Sequence, residues 1–449
     1  MMRPMLERLE SRASAGRPVT VALAGAGRFG TSIAAQIAQM DGLRLAAVAD
    51  PNVSNGAEAL RAAGWADDQV QRCESPVAAQ AAVEAGNAAL APDADALVSA
   101  PIEVFVDATG IPDVAAHNAW QALRRGRHVV MVTVEADVSC GWALAREARR
   151  QDVVYTLAAG DQPIAIMELF DWAVALGLEP VAVGRGTRLY PHDRHGDADQ
   201  ALARLGYDAE TAGRLRLNAQ MYNSFRDGTK SQIEMCAVSN MTGLPPDRRG
   251  MHEPSAGLNE LADLFAPREA GGLLHRTGVV DLANAVAPDG ASEMPEHIAT
   301  GVWAVVTCDD ERVREDLRIH GTRVSRDGDR TLLFREYHLC GVETPLSIAQ
   351  AALLGATSGA PRETPTSEVL AYAKRDLQPG DTLDGSGGQL VYGLIDRAEA
   401  GRADGVLPLG LAYGALVREP VAADQPIPVD AVCAVQDSFV ARLRQEAGA

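Results

Sequence analysis

The chain has 449 residues, 47% of them hydrophobic, and a formal net charge of −19. That length is too great for one hydrophobic core, so two or three domains are expected. The acidic balance argues against nucleic acid, which needs a basic surface, and against anionic membranes. No apolar run reaches the roughly 18 residues of a membrane span, and the first residues lack a signal-peptide core, so we expect a cytoplasmic protein.

Cysteine and lysine usage adds two observations. The six cysteines are scattered without a C-x-x-C pair, which is typical of reduced thiols rather than of disulfides or a zinc site. The chain has only two lysines, Lys230 and Lys374. A codon bias towards arginine explains the scarcity, but it leaves open a special role for either lysine.

The segment VTVALAGAGRFGTSIAAQ predicts a strand, a glycine turn and a helix. Gly25 allows the tight turn, Gly27 lets the backbone approach a pyrophosphate, and Gly30 lets the helix pack on the sheet. The helix N-terminus, with Arg28 and Phe29, offers free N–H groups to the phosphates. We therefore predict dinucleotide binding; the alternative is a glycine turn in an unrelated α/β fold.

A second apolar strand ends at Asp50, 20 residues after Gly30. A carboxylate at this position accepts hydrogen bonds from both ribose hydroxyls and repels a 2′-phosphate. Asp50 therefore favours NAD over NADP.

The pattern continues to about residue 160. Residues 54–100 are rich in alanine and predict helices, whereas residues 104–108 and 128–133 predict buried strands. This alternation is typical of a doubly wound parallel sheet, in which ligands bind at the carboxyl ends of the strands. We expect three residues at those ends to contact the cofactor: Thr109, Gly110 and Thr133.

Two segments predict boundaries in this α/β chain: the turn at residues 160–163 and a Gly/Pro/Thr-rich linker near residue 362. They divide the sequence into a Rossmann domain (1–160), an α+β substrate and oligomerisation domain (161–360) and a small β-rich domain (361–449). Residues 186–215 are polar and charged, which predicts either a lid or a solvated helical excursion.

Motifs from most of the chain together resemble the 1-deoxy-D-xylulose 5-phosphate reductoisomerase-like (DXR-like) family. The motifs are ALAGAGRFGTSIAAQIAQM, VDATGIPDV, HVVMVTVEADV, AAGDQPIAIMEL, DGTKSQIEMCAVSNMTGLPPD, TGVVD and EYHLCGVETPLSIA. The resemblance implies a homoserine-dehydrogenase-like N-terminal part, a C-terminal SAF (β-clip) module and an NAD(P)-dependent oxidoreductase. Its best-known activity converts 1-deoxy-D-xylulose 5-phosphate into 2-C-methyl-D-erythritol 4-phosphate.

The sequence departs from these relatives at Asp50 and in the stretch GRGTRLYPHDRHG. That stretch is rich in Arg, Tyr and His where a more lysine-rich loop is expected, which suggests a changed substrate pocket. Asp50 stands where a biosynthetic NADPH enzyme would carry Ser, Arg or Lys, which points to NAD and to catabolic oxidation. After the strand that is predicted here over residues 128–133, homoserine dehydrogenases carry a T-A-N-K-like motif whose lysine takes part in the chemistry. The stretch Thr133-Val134-Glu135-Ala136 lacks that lysine. The sequence therefore argues against simple homoserine dehydrogenase activity.

Four residues are candidates for catalysis: Lys230, Glu234, Asp161 and Glu135. Lys230 matches the family motif, and a partly buried lysine can exchange a proton with a substrate oxygen. The alternative is a surface lysine paired with Glu234 one helical turn away. Asp161 is either a ligand of the substrate or a helix cap, and Glu135 is either a hydroxyl ligand or an acid favoured by the helix dipole.

Further candidates bind substrate or metal. Arg185, Arg188 and His192 lie, with His195, in a loop where arginine suits a phosphate or carboxylate, and solvated side chains are the alternative. His338, at a strand end, is typical of a structural histidine. No clean metal-ligand spacing exists; a divalent metal held by Asp161, Glu168 and Glu234 stays open.

These observations predict an NAD(P)-dependent oxidoreductase, with NAD favoured, that acts on a small polar ketose, polyol or hydroxy acid, phosphorylated or not. We expect a homo-oligomer that binds neither nucleic acid nor membrane. Reductoisomerase chemistry is one hypothesis, and a catabolic dehydrogenase without rearrangement is the second. The third is a non-catalytic NAD-binding regulatory protein.

Overall fold

We describe the protein from a computed structural model, in which residues 2–215, 217–433, 435 and 437–447 are described. Within these ranges the helices are α1 (Met2–Ser14), α2 (Arg28–Ile37), α3 (Val53–Ala62), α4 (Pro76–Glu84), α5 (Pro112–Arg124), α6 (Val134–Arg150), α7 (Gln162–Ala175), α8 (Ala198–Arg204), α9 (Ala209–Arg214), α10 (Ala219–Arg226), α11 (Thr229–Thr242), α12 (Leu261–Leu264), α13 (Glu311–Ile319), α14 (Cys340–Leu354), α15 (Ala398–Ala403) and α16 (Phe439–Ala447). The strands are β1 (Val19–Ala24), β2 (Leu43–Ala49), β3 (Val70–Arg72), β4 (Ala88–Ala91), β5 (Val104–Asp107), β6 (His128–Met131), β7 (Tyr155–Leu157), β8 (Glu179–Thr187), β9 (Val279–Asn284), β10 (Val302–Thr307), β11 (Arg323–Val324), β12 (Arg330–Arg335), β13 (Ser367–Ala373), β14 (Val391–Arg397), β15 (Leu416–Val417) and β16 (Val432–Cys433).

The chain divides into two compact units. The Rossmann unit comprises Met1–Asp161, Leu339–Glu363 and Asp437–Ala449, and the second unit comprises Gln162–His338 and Thr364–Gln436. This division differs from the three parts that the sequence predicts, because most of residues 361–449 fall within the second unit. The physical reason is that β13 and β14 pack on the buried helix α11, so they share its core.

A seven-stranded parallel sheet forms the centre of the Rossmann unit, in the order β3-β4-β2-β1-β5-β6-β7. The chain moves outwards from β1 to one side and then returns to continue at β5 on the other side. The reversal between β1 and β5 leaves a crevice at their carboxyl ends, where doubly wound folds bind ligands. The predicted α/β fold with a Rossmann sheet is confirmed.

The alanine content of residues 54–100 predicts helices, but this range also contains strands. The strands β3 and β4 lie within that range, and every residue of β4 is buried. A strand covered on both faces needs no alternation of polar residues, so the sequence AALA reads as helix although it lies inside the sheet. The neighbouring parallel strands decide its conformation.

A five-stranded mixed sheet, in the order β11-β12-β10-β8-β9, organises the second unit. Helices α7 and α11 pack against this sheet, and α11 also packs against the β13–β14 hairpin. Since α11 has neighbours on both sides, all of its residues from Thr229 to Thr242 are buried. Its polar side chains must therefore find partners inside the protein.

Residues 186–215 contain the short helices α8 and α9, which fits the predicted helical excursion. Among the described residues, no helix combines the length and apolar character that a membrane crossing requires. Helix α14 belongs to the Rossmann unit, where Ile348 and Ala349 join the hydrophobic core.

Candidate cofactor and substrate sites

The glycine turn has the close contacts that each glycine is expected to allow. Gly25 has φ +89°, and a Cβ there would lie 2.5 Å from the Ala108 carbonyl oxygen. A Cβ on Gly30 would lie 2.0 Å from the carbonyl oxygen of Gly25. A Cβ on Gly27, by contrast, would have no protein atom within 4 Å. The open space over Gly27 is what a pyrophosphate requires of this loop.

Helix α2 begins at Arg28 directly after Gly27, and no side chain caps its N-terminus. Its first N–H groups are therefore available to an anion, and the helix dipole favours one. The side chains of Arg28 and Phe29 are exposed. These features fit a bound dinucleotide; the contacts of individual residues with it stay predictions.

Asp50 directly follows β2, and its carboxylate is hydrogen-bonded to the backbone of the glycine turn. Its Oδ2 accepts a hydrogen bond of 2.8 Å from the Ala26 amide, and its Oδ1 accepts one of 2.8 Å from the Asn52 amide. The residue is only 8% exposed. Each carboxylate oxygen has a second lone pair, so binding of a ribose hydroxyl remains compatible with these bonds.

Asp107, which the sequence analysis did not select, connects the predicted residues at the ends of β5 and β6. Its Oδ1 accepts hydrogen bonds from the Thr109 hydroxyl (2.8 Å) and the Thr133 hydroxyl (2.9 Å), and its Oδ2 accepts one from the Asn118 amide (3.0 Å). The Gly110 amide donates to Thr133 Oγ1 at 3.0 Å. The sequence does contain a signal for Asp107, because an acidic residue stands at the end of the otherwise apolar strand VFVD.

Burial raises the pKa of Asp107, although the hydrogen bonds from Asn118, Thr109 and Thr133 oppose this. The network fixes the backbone at Gly110, which lies beside the crevice between β1 and β5. Asp107 is therefore a positioning residue for the predicted cofactor site.

Glu135 and Asp137 lie in the first turn of α6, as expected of acids at a helix N-terminus. Glu135 is 8% exposed, and Asp137 is completely buried. Burial raises the pKa of Asp137 to about 7, with the Tyr155 hydroxyl donating to its Oδ1 at 2.9 Å. Its second oxygen, Oδ2, has no hydrogen-bond partner.

Asp161 is the last residue of the first segment of the Rossmann unit and precedes α7. The Cys340 thiol lies 3.9 Å from its Oδ1. The structure therefore assigns Asp161 and Glu135 to the Rossmann unit, and Lys230 and Glu234 to the second unit. A catalytic role for Asp161 or Glu135 stays a prediction.

Lys230 lies in the first turn of α11 and is 6% exposed, so the alternative of a surface lysine is wrong. Gly228 precedes the helix with φ +85°, a left-handed conformation that suits glycine. Glu234, one turn further along α11, forms a buried ion pair with Arg185. A second polar contact joins Ser231 Oγ to Thr187 Oγ1 at 3.1 Å.

Arg185 was expected in a loop with Arg188 and His192, but it lies inside strand β8 and is 5% exposed. Its Nε donates to the Gly186 carbonyl at 2.9 Å, besides the ion pair with Glu234. Every residue of β8 from Val181 to Thr187 is buried, so the strand has no polar alternation that could have marked Arg185 in the sequence.

The other expected substrate ligands lie near the surface of the second unit. Arg188 is paired with Glu293 at 2.7 Å, and the His192 side chain is 64% exposed. His195 Nδ1 contacts the Lys374 carbonyl at 2.8 Å, and His338 Nδ1 contacts the Thr300 carbonyl at 2.7 Å. These contacts fit the solvated or structural alternatives better than substrate binding.

A buried ion pair below the start of α11 involves the second lysine of the chain. Lys374 Nζ lies 2.6 Å from Asp227 Oδ2, and their side chains are 2% and 0% exposed. Asp227 Oδ1 also accepts the Thr229 amide at 2.8 Å. The pair therefore fixes the turn that precedes Lys230. The scarcity of lysine was the only signal in the sequence that pointed to Lys374.

The proposed carboxylate set for a metal is already paired in part. Glu234 is paired with Arg185 inside the unit, and Glu168 with Arg335 at 2.9 Å at the surface. Arginine neutralises these carboxylates, so they are poor candidates for a shared divalent cation.

Comparison with family models assigns both parts of the chain. Residues 25–157 match the NAD binding domain of homoserine dehydrogenase, and residues 160–344 match the catalytic domain of oxidoreductase DRL. No curated protein matches the chain in sequence. The chain thus contains a region that matches an NAD-binding domain of the homoserine dehydrogenase type, followed by a region that matches the catalytic domain of an oxidoreductase.

Solved structures with a related fold are distant. WlbA dehydrogenase from Bordetella pertussis, solved with NADH and UDP-GlcNAcA, is 19% identical with a TM-score of 0.27, over 38% of this chain and 44% of that one. GenD2 from gentamicin A biosynthesis, solved with NAD, is 15% identical with a TM-score of 0.36, over 75% and 87%. The oxidoreductase yvaA from Bacillus subtilis is 12% identical with a TM-score of 0.38, over 76% and 89%. The chain thus spans less than half of WlbA dehydrogenase, and at these identities the likeness concerns the fold alone.

Proposed function

We propose that the protein oxidises or reduces a small polar substrate (a ketose, polyol or hydroxy acid, free or phosphorylated), with Lys230 moving the hydroxyl proton. The cofactor, when bound, accepts or supplies the hydride. The observation that carries this proposal is the buried position of Lys230 in the first turn of α11, within the range matched by the DRL catalytic domain. An amine kept from bulk water is suited to exchange a proton with a substrate oxygen.

The polar groups around the start of α11 support a hydroxylated substrate. Arg185, Glu234, Thr187 and Ser231 are all buried in the second unit. Hydroxyl, carboxylate and guanidinium groups recognise the hydroxyl groups of a polyol or sugar by hydrogen bonding. A site with such buried groups discriminates strongly against an analogue that leaves them without partners.

NAD is the cofactor that we expect, because Asp50 places a carboxylate at the end of β2. Titration with NADH and NADPH by fluorescence measures this preference directly. An Asp50→Asn variant would also disturb the Ala26 amide contact, so the ratio of the two affinities is the informative quantity. Equal affinity for both cofactors in the wild type would contradict the proposed role of Asp50.

Two reactions fit this proposal. Conversion of 1-deoxy-D-xylulose 5-phosphate involves rearrangement of the carbon skeleton before reduction, and chelation of the two substrate oxygens by Mg²⁺ or Mn²⁺ assists such a step. Oxidation of a polyol or sugar acid involves no rearrangement. The arginine partners of Glu168 and Glu234 favour the second reaction, since they compete with a metal for those carboxylates.

The assay pairs the tighter cofactor with each substrate class and analyses the product by NMR. A branched product from 1-deoxy-D-xylulose 5-phosphate establishes the reductoisomerase, and an unbranched product from polyols or sugar acids establishes the dehydrogenase. Cofactor binding without turnover of any substrate supports the regulatory alternative and overturns the proposal. The SAF-like role predicted for residues 361–449 and a homo-oligomeric state also stay proposals, since both matched domains end by residue 344.

A Lys230→Ala variant tests the proton-transfer role. We expect kcat/KM to fall at least about a hundredfold, with NADH affinity unchanged. Added ethylamine should restore part of the activity, which a merely structural lysine would not allow. Arg326→Ala is the control, because that side chain is 91% exposed. Turnover within twofold of the wild type, or a loss that no amine rescues, would contradict the assignment.

A further inference from the structure

Asp247, His252 and His275 form a cluster in the second unit that the proposed reaction does not use. One Asp247 oxygen, Oδ2, lies 2.8 Å from His252 Nε2 and 2.9 Å from His275 Nδ1. The three donor atoms all lie within 4.8 Å of one another. No other such group of three occurs among the described residues.

The cluster is separate from the start of α11. Lys230 lies in the first turn of this helix, whereas Asp247 follows its C-terminal end, which Gly243 terminates. A helix of 14 residues extends about 21 Å at 1.5 Å per residue. The cluster therefore lies towards the opposite end of the helix from the proposed proton-transfer residue.

The backbone around His252 is held in an unusual conformation. Met251 and Glu253, on either side, have φ +67° and +50°, although neither is glycine. The buried Asp281 carboxylate accepts the His252 amide at 3.0 Å and the Glu253 amide at 3.1 Å. Asp281 thereby compensates for the backbone strain and directs the His252 ring towards Asp247.

Asp247 is buried but incompletely paired. Its side chain is 1% exposed, and its Oδ1 has no hydrogen-bond partner. The nearest cation, Arg276 Nε, lies 3.8 Å from Oδ1, so it faces the other oxygen from the one that both histidines contact. Burial alone would raise the pKa of Asp247. The hydrogen bonds from the His275 amide and from the His252 and His275 side chains have a larger combined effect, so the pKa is lowered overall.

Two imidazoles and one carboxylate are a donor set that Zn²⁺ accepts, with bond lengths near 2.0–2.2 Å. Tetrahedral bonds of that length separate neighbouring ligand atoms by about 3.3 Å. The two separations from Asp247 Oδ2, 2.8 and 2.9 Å, then need to widen by about half an ångström. The two histidine nitrogens, which lie within 4.8 Å of each other, need to reach the same spacing. His275 is 52% exposed and can make this adjustment, and its exposure leaves a fourth position to water.

We propose that Asp247, His252 and His275 bind one Zn²⁺ or a similar divalent transition metal, with solvent as the fourth ligand. Such an ion joins the segment after α11, the strained loop at His252 and the approach to β9. It would stabilise the second unit without taking part in hydride transfer. This inference does not depend on the proposed function.

The experiment is a titration of the full chain, stripped with a chelator, with Zn²⁺ by calorimetry and with Co²⁺ by visible absorption. We expect one equivalent to bind, the d–d bands of a tetrahedral nitrogen and oxygen site, and a rise in Tm with Zn²⁺. A His275→Ala variant should lose at least a hundredfold in affinity. Its side chain is half exposed, so this variant should fold without metal.

His320→Ala is the matched control, because His320 is an exposed histidine of the same unit. It should bind the metal like the wild type. Equal affinity of His275→Ala and the wild type, absence of binding at micromolar Zn²⁺, or a thiolate–cobalt charge-transfer band from the exposed Cys433 would each overturn the proposal. Asp247→Asn adds a second test, in which Tm without metal reports folding and the Zn²⁺-induced rise in Tm should disappear.

Discussion

The glycine turn of the Rossmann unit and helix α11 of the second unit place their functional groups in different ways. In the glycine turn, the closest approach joins two residues that are near in sequence, Gly25 and Gly30. At α11 and the turn before it, contacts join residues from distant segments, such as Asp227 with Lys374 and Glu234 with Arg185. The first site depends on backbone shape, and the second depends on buried charges.

This difference determines how each site should fail. A backbone site fails when an added atom has no space, so the size of the side chain decides the outcome. A site of buried charges is destabilised when one member of an ion pair is removed, because the remaining charge stays buried without a counter-charge. Substitutions in the two regions can separate these causes.

The largest effect is expected within the glycine turn. In Gly30→Ala the new Cβ would lie 2.0 Å from the Gly25 carbonyl oxygen, so we expect the Rossmann unit to lose about 4 kcal/mol or more of stability. In Gly27→Ala the Cβ meets no protein atom within 4 Å, so folding should persist while NADH affinity falls at least tenfold. Thermal unfolding and fluorescence titration measure both. Wild-type affinity in Gly27→Ala would show that the pyrophosphate does not lie over this residue.

The next effect concerns the buried pair that holds the start of α11. Lys374→Met leaves the Asp227 carboxylate buried without its cation, which should cost about 3–5 kcal/mol in the free energy of unfolding. Adding Asp227→Asn removes the unpaired charge and keeps an oxygen for the Thr229 amide. The double variant should therefore be more stable than Lys374→Met alone by denaturant unfolding. Additive losses would show that the pair is not coupled.

A smaller effect is expected at Asp107. Asp107→Asn replaces a carboxylate oxygen with an amide donor, which leaves one of the donors Thr109, Thr133 or Asn118 without an acceptor. A buried donor without a partner costs about 1–3 kcal/mol. NADH affinity should fall with stability, since Gly110 is positioned by this network. Asp68→Asn, at an exposed position, is the control and should change neither quantity. Unchanged affinity in Asp107→Asn would separate the network from the cofactor.

The sequence predicted the local features and missed the distant ones for the same physical reason. The spacing of Gly25, Gly27 and Gly30 is itself the geometric requirement, so the turn is recognisable without its surroundings. Arg185 was assigned to a loop because the strand that buries it becomes evident only with its neighbours β9 and β10 in place. Thr133, which binds Asp107, and Asp227, which binds Lys374, come from other segments, and no spacing in the sequence specifies such pairs.

The last effect, the smallest over any single pH unit, is a pH dependence of stability caused by Asp137. Burial raises its pKa from 3.8 to about 7 in the folded state, so the folded protein holds a proton that the unfolded chain has released between these values. The resulting stabilisation is complete below pH 4 and is lost as the pH rises to about 7, with a slope of up to about 1.4 kcal/mol per pH unit. Asp137→Asn cannot ionise but still accepts the Tyr155 hydroxyl, so the variant should gain stability relative to the wild type over this range. Denaturant unfolding at several pH values measures the difference, and parallel curves would show that the carboxyl group titrates normally.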